Sequence, residues 1–187
     1  MDQIEINNII ERFKAGDESV FEQLVKSHKD LVYALALKMA QTIEDAEEIA
    51  QDSFVKAYKG LKNFKGQSKF STWIYQITYF TAINNLRKHK IETNDSFDNV
   101  DQASDDNLFE KIESNDRIKY LNMAMAYLKP NERAIITLYH LDEHSIEEVA
   151  EIMKLSVSNV KVKVHRTRKK MYTILSHILQ NELNSIR

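Results

Sequence analysis

Residues 145–170 read SIEEVAEIMKLSVSNVKVKVHRTRKK, two helical segments separated by a three-residue turn. Ser145-Ile-Glu-Glu148 is a capping box: the serine hydroxyl accepts from the amide three residues on, and the glutamate reaches back to the serine amide. It opens a short helix, Ile146 to Met153, with Val149, Ala150 and Ile152 on its apolar face. Lys154-Leu-Ser156 makes the turn and Ser156 caps the next helix, which Val157, Val160 and Val164, at spacings of three and four, tie to a core. The rest of that helix is basic. Lys161, Lys163, Arg166, Arg168, Lys169 and Lys170, with His165 among them, place six permanent positive charges in ten residues. A lysine-rich helix end can simply complement the helix dipole. The turn, the two caps and the periodic valines together point instead to a helix-turn-helix whose second helix faces phosphate. Its first turn then supplies the base readers, Ser158, Asn159, Lys161 and Val162, and the later cations hold the backbone.

Composition fixes the class. Three glycines and one proline in 187 residues leave few of the residues that tight hairpins need, while good helix formers abound, so the chain reads as all-α. The 43% of apolar residues suffices for a real core. The absence of cysteine excludes disulfides and thiolate metal ligands. The N-terminus, MDQIEINNIIERF, lacks the cationic start and apolar run of a signal peptide. The longest uncharged run, Phe70 to Leu86, contains Ser71, Gln76, Asn84 and Asn85 and is too short to span a bilayer. A cytoplasmic protein is expected.

The net charge of −2 hides a block pattern: residues 1–90 carry +1, 91–116 carry −8 and 117–187 carry +5. In the first block, Gly16 and Asp17 are expected to end one helix and cap the next, which runs from Phe21 through Leu24, Val25, Leu31, Val32, Leu35 and Met39. A further helix opens at Thr42, buries Ala46, Ile49, Ala50, Phe54, Ala57 and Leu61, and stops between Gly60 and Asn63. After the loop NFKGQSK a third runs from about Ser71 to Lys88. Residues 90–116 lose helical periodicity and gain Asp, Asn and Ser, which reads as a flexible acidic linker able to screen the basic block. Beyond it Ile118, Leu121, Met125 and Leu128 mark a helix, and Pro130 starts another carrying Ala134, Ile135 and Leu138. The expected architecture is two small helical domains, 1–89 and 117–187, joined by the 90–116 linker.

Phe64, Phe70, Trp73, Tyr75, Tyr79 and Phe80 crowd one loop and helix beside Lys62, Lys65, Lys69, Arg87 and Lys88. Rings beside amines suit single-stranded nucleic acid, whereas Phe70 and Trp73 read better as helix core. Gln76, Phe80, Asn84 and Arg87 fall at i, i+4, i+8 and i+11, one stripe that is polar apart from Phe80.

Three segments, DAEEIAQDSFVKAYKGLKNF, FSTWIYQI and SIEEVAEIMKLSVSNVKVKVHRTRKKM, in that order, resemble the signature segments of bacterial sigma-70 family RNA polymerase sigma factors of the extracytoplasmic-function group. The resemblance implies a non-enzymatic transcription factor that binds core polymerase, directs it to promoters and helps open them. By similarity, the helix bearing Asp45, Glu47, Glu48, Gln51, Asp52 and Phe54 docks on the coiled coil of the largest polymerase subunit. Phe64, Lys65, Ser68, Trp73, Gln76, Phe80, Asn84, Arg87 and Lys88 would contact the melted minus-ten element, with a base flipped into a pocket. Ser158, Asn159, Lys161, Val162, Lys163, His165, Arg166, Arg168, Lys169 and Lys170 would contact the minus-thirty-five duplex. An anti-sigma factor, frequently membrane-bound in this group, is an implied partner, and no cofactor is. The chain departs from the common pattern in having Phe80 for Asn, Asn84 for Asp, Ser156-Val-Ser-Asn-Val160 for Pro-x-Gly-Thr-Val, and Glu143 for a glycine before the capping box.

Two other readings remain: a conventional helix-turn-helix regulator with N-terminal helices for dimerisation or sensing, and a helical adaptor with an incidental basic tail. His140 and His144 lie four apart but in the turn before Ser145, which disfavours a metal site. No Gly-rich phosphate loop or Ser-His-Asp arrangement is recognisable.

Overall fold

The structure, a computed structural model, describes residues 1–88 and 114–185, and no strand occurs among them. The expected acidic linker lies outside the described residues up to position 113, and its last three residues already belong to the helix that follows.

Helix α1 (Gln3–Lys14) starts at a capping box between Asp2 and Glu5 and buries Ile6, Ile9, Ile10 and Phe13. The chain turns at Gly16, whose φ of +108° suits a residue without Cβ. Asp17 was expected to cap the next helix and does not: its carboxylate accepts from Ser19 and Arg12, and a 3-10 turn, Glu18–Val20, leads into α2 (Phe21–Met39). Thr42 caps α3 (Ile43–Gly60), its hydroxyl accepting from the Asp45 amide at 3.1 Å. A 3-10 turn, Leu61–Asn63, and a loop lead to α4 (Phe70–Lys88). Leu24, Val32, Ala57, Leu61, Phe64, Phe70 and Ile74 join the α1 side chains in one core.

Helix α4 is buried nearly all round, through Thr72, Ile74, Tyr75, Thr78, Tyr79, Ala82 and Asn85 as well as Phe70. A helix of that kind is covered on more than one side. Its threonines settle locally, Thr78 and Thr81 donating to the carbonyls of Ile74 and Ile77 at 2.9 and 2.8 Å. On one side lie α2 and α3. On the other lies the C-terminal lobe.

That lobe comprises α5 (Ser114–Ala126), α6 (Pro130–Ile136) with Pro130 in its first turn, a π turn (Thr137–Leu141), α7 (Ile146–Met153) and α8 (Val157–Ser185). The capping box forms as expected, the Glu148 amide donating to Ser145 Oγ at 3.1 Å and the Ser145 amide to Glu148 Oε2 at 3.0 Å. Three expectations need correction. Ile118 is 62% exposed. Of the three valines only Val160 is fully buried; Val164 is half-buried and Val157 exposed. The recognition helix does not end near Lys170 but continues to Ser185, held by Val160, Thr167, Met171, Ile174 and Ile178 on one stripe.

The two lobes share a core. Leu35, Met39, Ile49, Tyr75, Tyr79 and Ile83 from the first meet Ile135, Leu138, Val149, Ile152, Met153 and Val160 from the second. Polar contacts ring it: Lys38 pairs with Asp142 at 2.5 Å, Tyr79 Oη donates to Asn131 Oδ1 at 3.0 Å, and Arg133 Nη1 to the Met39 carbonyl at 3.4 Å.

Candidate nucleic-acid interface

Three surfaces carry the residues singled out in the sequence. The first is the outer face of α3. Ala46, Ile49, Ser53 and Ala57 turn inward, which leaves Glu47, Glu48, Gln51 and Asp52 exposed at helical spacing, with Val55 half exposed among them. Asp45 is half-buried at the helix start, and Phe54 is half-buried against the N-terminal core.

The second surface is the stripe on α4. Trp73, Gln76, Phe80 and Asn84 line an open cavity of about 370 Å³ together with Lys56 and Gly60 of α3 and Lys154 of the C-terminal lobe. Gly60 lies against the indole, where an added Cβ would sit in ordinary contact, 3.4 Å from Trp73 Cζ2. Lys56 Nζ donates to Thr81 Oγ1 at 3.0 Å, fixing a cation at the cavity wall. Arg87 and Lys88 are exposed at the end of α4, Lys65 is exposed in the preceding loop and Ser68 is half-buried there. Phe64 belongs elsewhere: it is buried, its ring 5.0 Å from Trp73 and 6.2 Å from Phe70, and so props the indole from behind.

The third surface is the start of α8. Ser156 Oγ accepts from the Asn159 amide at 3.2 Å, capping the helix. Ser158, Asn159, Lys161, Val162, His165, Arg166, Arg168 and Lys169 are all exposed. Lys163 is half-buried. Lys170 departs from the phosphate-facing set: its Nζ pairs with Glu132 Oε2 at 3.1 Å, on the first turn of α6.

Lys56, Lys154 and Asp142 were not found by sequence reasoning. Lys56 comes to the stripe only through the packing of α3 on α4. Lys154 carried one local sign: it ends a helix, where a left-handed residue is usual, and it adopts φ +54°. His144 packs against α4. Its ring stands edge-on to Tyr75 with centroids 4.6 Å apart, and among the described residues no group of three His, Asp or Glu could hold a metal. Among them, too, no helix is long and apolar enough to cross a membrane.

Residues 24–91 match the family described as Sigma-70 region 2, and residues 118–171 match Sigma-70, region 4. The chain is 30% identical over 173 residues to the ECF RNA polymerase sigma factor SigW of Bacillus subtilis (strain 168), covering 87% of this chain and 92% of that protein. It is 28% identical over 182 residues to the RNA polymerase sigma-H factor of Pseudomonas aeruginosa, covering 92% and 94%. Among solved structures, CnrH in complex with the cytosolic domain of CnrY matches with a TM-score of 0.66 at 20% identity, over 90% of this chain and 96% of that one. The sigma factor RpoE of Bartonella quintana, solved with the anti-sigma factor NepR, matches with a TM-score of 0.63 at 21% identity, over 83% and 96%. Both share the all-helical fold. The match to both sigma regions and to SigW over nearly its whole length places the chain in the extracytoplasmic-function group of the sigma-70 family: it is an RNA polymerase sigma factor, which directs promoter-specific initiation by binding core polymerase and promoter DNA.

Proposed function

We propose a division of this activity among the three surfaces. Residues 1–89 form the domain that binds polymerase and the minus-ten element, 90–116 the linker, and 117–187 the domain that binds the minus-thirty-five element. The exposed face of α3, with Glu47, Glu48, Gln51 and Asp52 at its centre and Asp45 and Phe54 at its edge, docks on the coiled coil of the largest polymerase subunit, where carboxylates meet cationic partners. The stripe of Trp73, Gln76, Phe80 and Asn84, with Arg87, Lys88, Lys65 and Ser68 along its rim, takes the melted minus-ten strand, one base entering the cavity between α3 and α4. Stacking of about 1 to 3 kcal/mol per base offsets an unpairing cost of a few kcal/mol.

The start of α8 reads the minus-thirty-five element as duplex. Ser158, Asn159, Lys161 and Val162 approach base edges, and Lys163, His165, Arg166, Arg168 and Lys169 hold phosphates. The protein supplies binding and positioning and is not itself an enzyme; it works in the cytoplasm, beside the polymerase. An anti-sigma factor completes the partner set, as NepR does for RpoE.

The observation that carries this reading is the stripe at the mouth of the α3–α4 cavity. A conventional helix-turn-helix regulator has no use for an aromatic ring and an amide beside cations outside its duplex-binding helix. Permanganate footprinting of promoter fragments, mixed with core polymerase and the purified chain, tests it. Thymines near minus ten become reactive only when wild-type chain is present, and substitution of Trp73 and Gln76 by alanine removes that reactivity while polymerase binding survives. Equal reactivity with the double variant would overturn the assignment of the stripe.

A further inference from the structure

Helices α7 and α8 both begin at a serine cap, but only the first completes a capping box. Ser145 Oγ accepts from the Glu148 amide, and the Glu148 carboxylate accepts in return from the Ser145 amide. At α8 the first half alone forms, Ser156 Oγ accepting from the Asn159 amide at 3.2 Å. Position 159 is where a glutamate or glutamine would close the box. Asn159 is instead exposed, and among the described residues its side-chain amide has no hydrogen-bond partner. The neighbouring hydroxyl is drawn back toward the cap, Ser158 Oγ lying 3.3 Å from Ser156 Oγ. The first turn of α8 therefore presents an unengaged amide, able to donate and accept at once.

One turn on stands Val162, 48% exposed. It takes no part in the core that Val160 and Val164 join, and a β-branched residue gains nothing for the helix itself. By helical spacing Lys161 lies to one side of it and Arg166 to the other, so an apolar point sits between cations. Asn159 and Val162, three residues apart, share one side of α8. They are separated along its axis by about 4.5 Å, little more than the step of about 3.4 Å between stacked base pairs.

In the major groove adenine offers a donor at N6 beside an acceptor at N7, which a carboxamide meets with two hydrogen bonds, and thymine alone carries a methyl group. Guanine has acceptors at both places, so the amide would lose one of its two bonds there. We infer that the first turn of α8 selects A·T pairs, Asn159 taking adenine through N6 and N7 and Val162 packing on the 5-methyl group of a thymine in a neighbouring pair. This rests on the assignment of α8 as the duplex reader made above.

The test uses holoenzyme formed from the full chain and core polymerase. Duplexes enriched from a pool randomised across the minus-thirty-five element are expected to carry A·T pairs at two neighbouring positions. In the enriched duplex, 7-deazaadenine for adenine removes only the N7 acceptor, and deoxyuridine for thymine removes only the methyl group. Each change is expected to weaken wild-type binding about three- to tenfold. Asn159→Ala is expected to become indifferent to the first change and to keep its response to the second, and Val162→Ser to do the reverse. Both side chains are exposed, so neither substitution removes core packing. Enrichment of G·C pairs at these positions, or responses in the variants equal to those of the wild type, would overturn the inference. The underlying assignment fails separately: if Lys161→Ala with Arg166→Ala leaves duplex affinity unchanged, α8 is not the duplex reader. If that variant binds more weakly while both base changes are without effect on the wild type, only the A·T selection falls.

Discussion

Lys38, near the end of α2, and Asp142, in the turn before α7, form an ion pair with Nζ 2.5 Å from Oδ1 across the junction of the two lobes. The carboxylate also accepts from Tyr75 Oη at 3.3 Å. Burial, and after it the neighbouring Asp142 charge, push the Tyr75 hydroxyl above the ordinary tyrosine range, so it remains a donor at any physiological pH. With side chains 32% and 12% exposed, the pair is shielded enough that removing one partner strands the other in a partly desolvated site. The two lobes are therefore joined by a polar latch as well as by apolar packing.

In the proposed division of labour the cations of α8 act through counterion release. Lys161→Ala with Arg166→Ala removes two exposed charges and is expected to lower the salt slope of duplex binding by about 2, at about 0.9 per phosphate contact. Fluorescence anisotropy across a salt series measures it. An unchanged slope would mean that this face of α8 does not meet phosphate. Lys170→Ala, by contrast, removes a charge already paired with Glu132 and is expected to change stability more than slope.

Phe80 faces the cavity with no hydrogen-bonding group of its own. Phe80→Asn introduces a donor and an acceptor at that point of the stripe and is expected to shift base preference at one minus-ten position. Transcription from a library randomised across that element reads the shift. Identical promoter selection by both proteins would make the ring a packing element only.

Glu143 stands at φ +55°, the left-handed region that favours glycine. Glu143→Gly is expected to stabilise the chain by about 0.5 to 1 kcal/mol, the relief of strain exceeding the entropy that glycine adds to the unfolded state. Urea denaturation measures it, and a destabilised variant would show that the Glu143 side chain contributes more than its backbone costs.

His28 is buried against Phe70, ring centroids 4.9 Å apart, and burial lowers its pKa from the ordinary 6.5. Between the lowered folded value and 6.5 the unfolded chain binds more protons, so this contribution to stability is full above 6.5 and is lost as the pH falls from there through the folded value. The melting temperature of the wild type is expected to drop between pH 7 and pH 5 by more than that of His28→Gln. Parallel pH profiles would locate the acid sensitivity elsewhere.

Much of this was legible in the sequence because local chemistry dictates it. The caps at Thr42 and Ser145 and the span Ile146–Met153 follow from side chains hydrogen-bonding to amides three residues away. What was missed depends on neighbours distant in sequence. Ile118 was read onto the buried face of α5, but Tyr120 and Ala124 are the residues of that helix that pack with Met171, Ile174 and Ile178 of α8, and Ile118 lies about 200° round the helix from Tyr120. Tyr120 is drawn to α8 by its hydrogen bond to Glu182, which with burial pushes the phenol up to about 12. A run of cations likewise gives no sign of which one will turn inward, and Glu132 selects Lys170. The site was legible as a stripe, since Gln76, Phe80 and Asn84 share one face by spacing alone. The contacts that Gln76 makes with the Glu151 carbonyl, at 2.7 Å, and Phe80 with Lys154 were not, because nothing in periodicity states which lobe rests on which.

The division of labour is tested most directly by site-specific photo-crosslinking in the polymerase–promoter complex. A photoreactive phenylalanine analogue is placed at position 80 in one protein and at position 159 in another, and the crosslinked bases are mapped. Position 80 is predicted to crosslink to an unpaired base of the minus-ten element and position 159 to the minus-thirty-five duplex. Crosslinks from both positions to the same element, or from position 80 to polymerase alone, would contradict it.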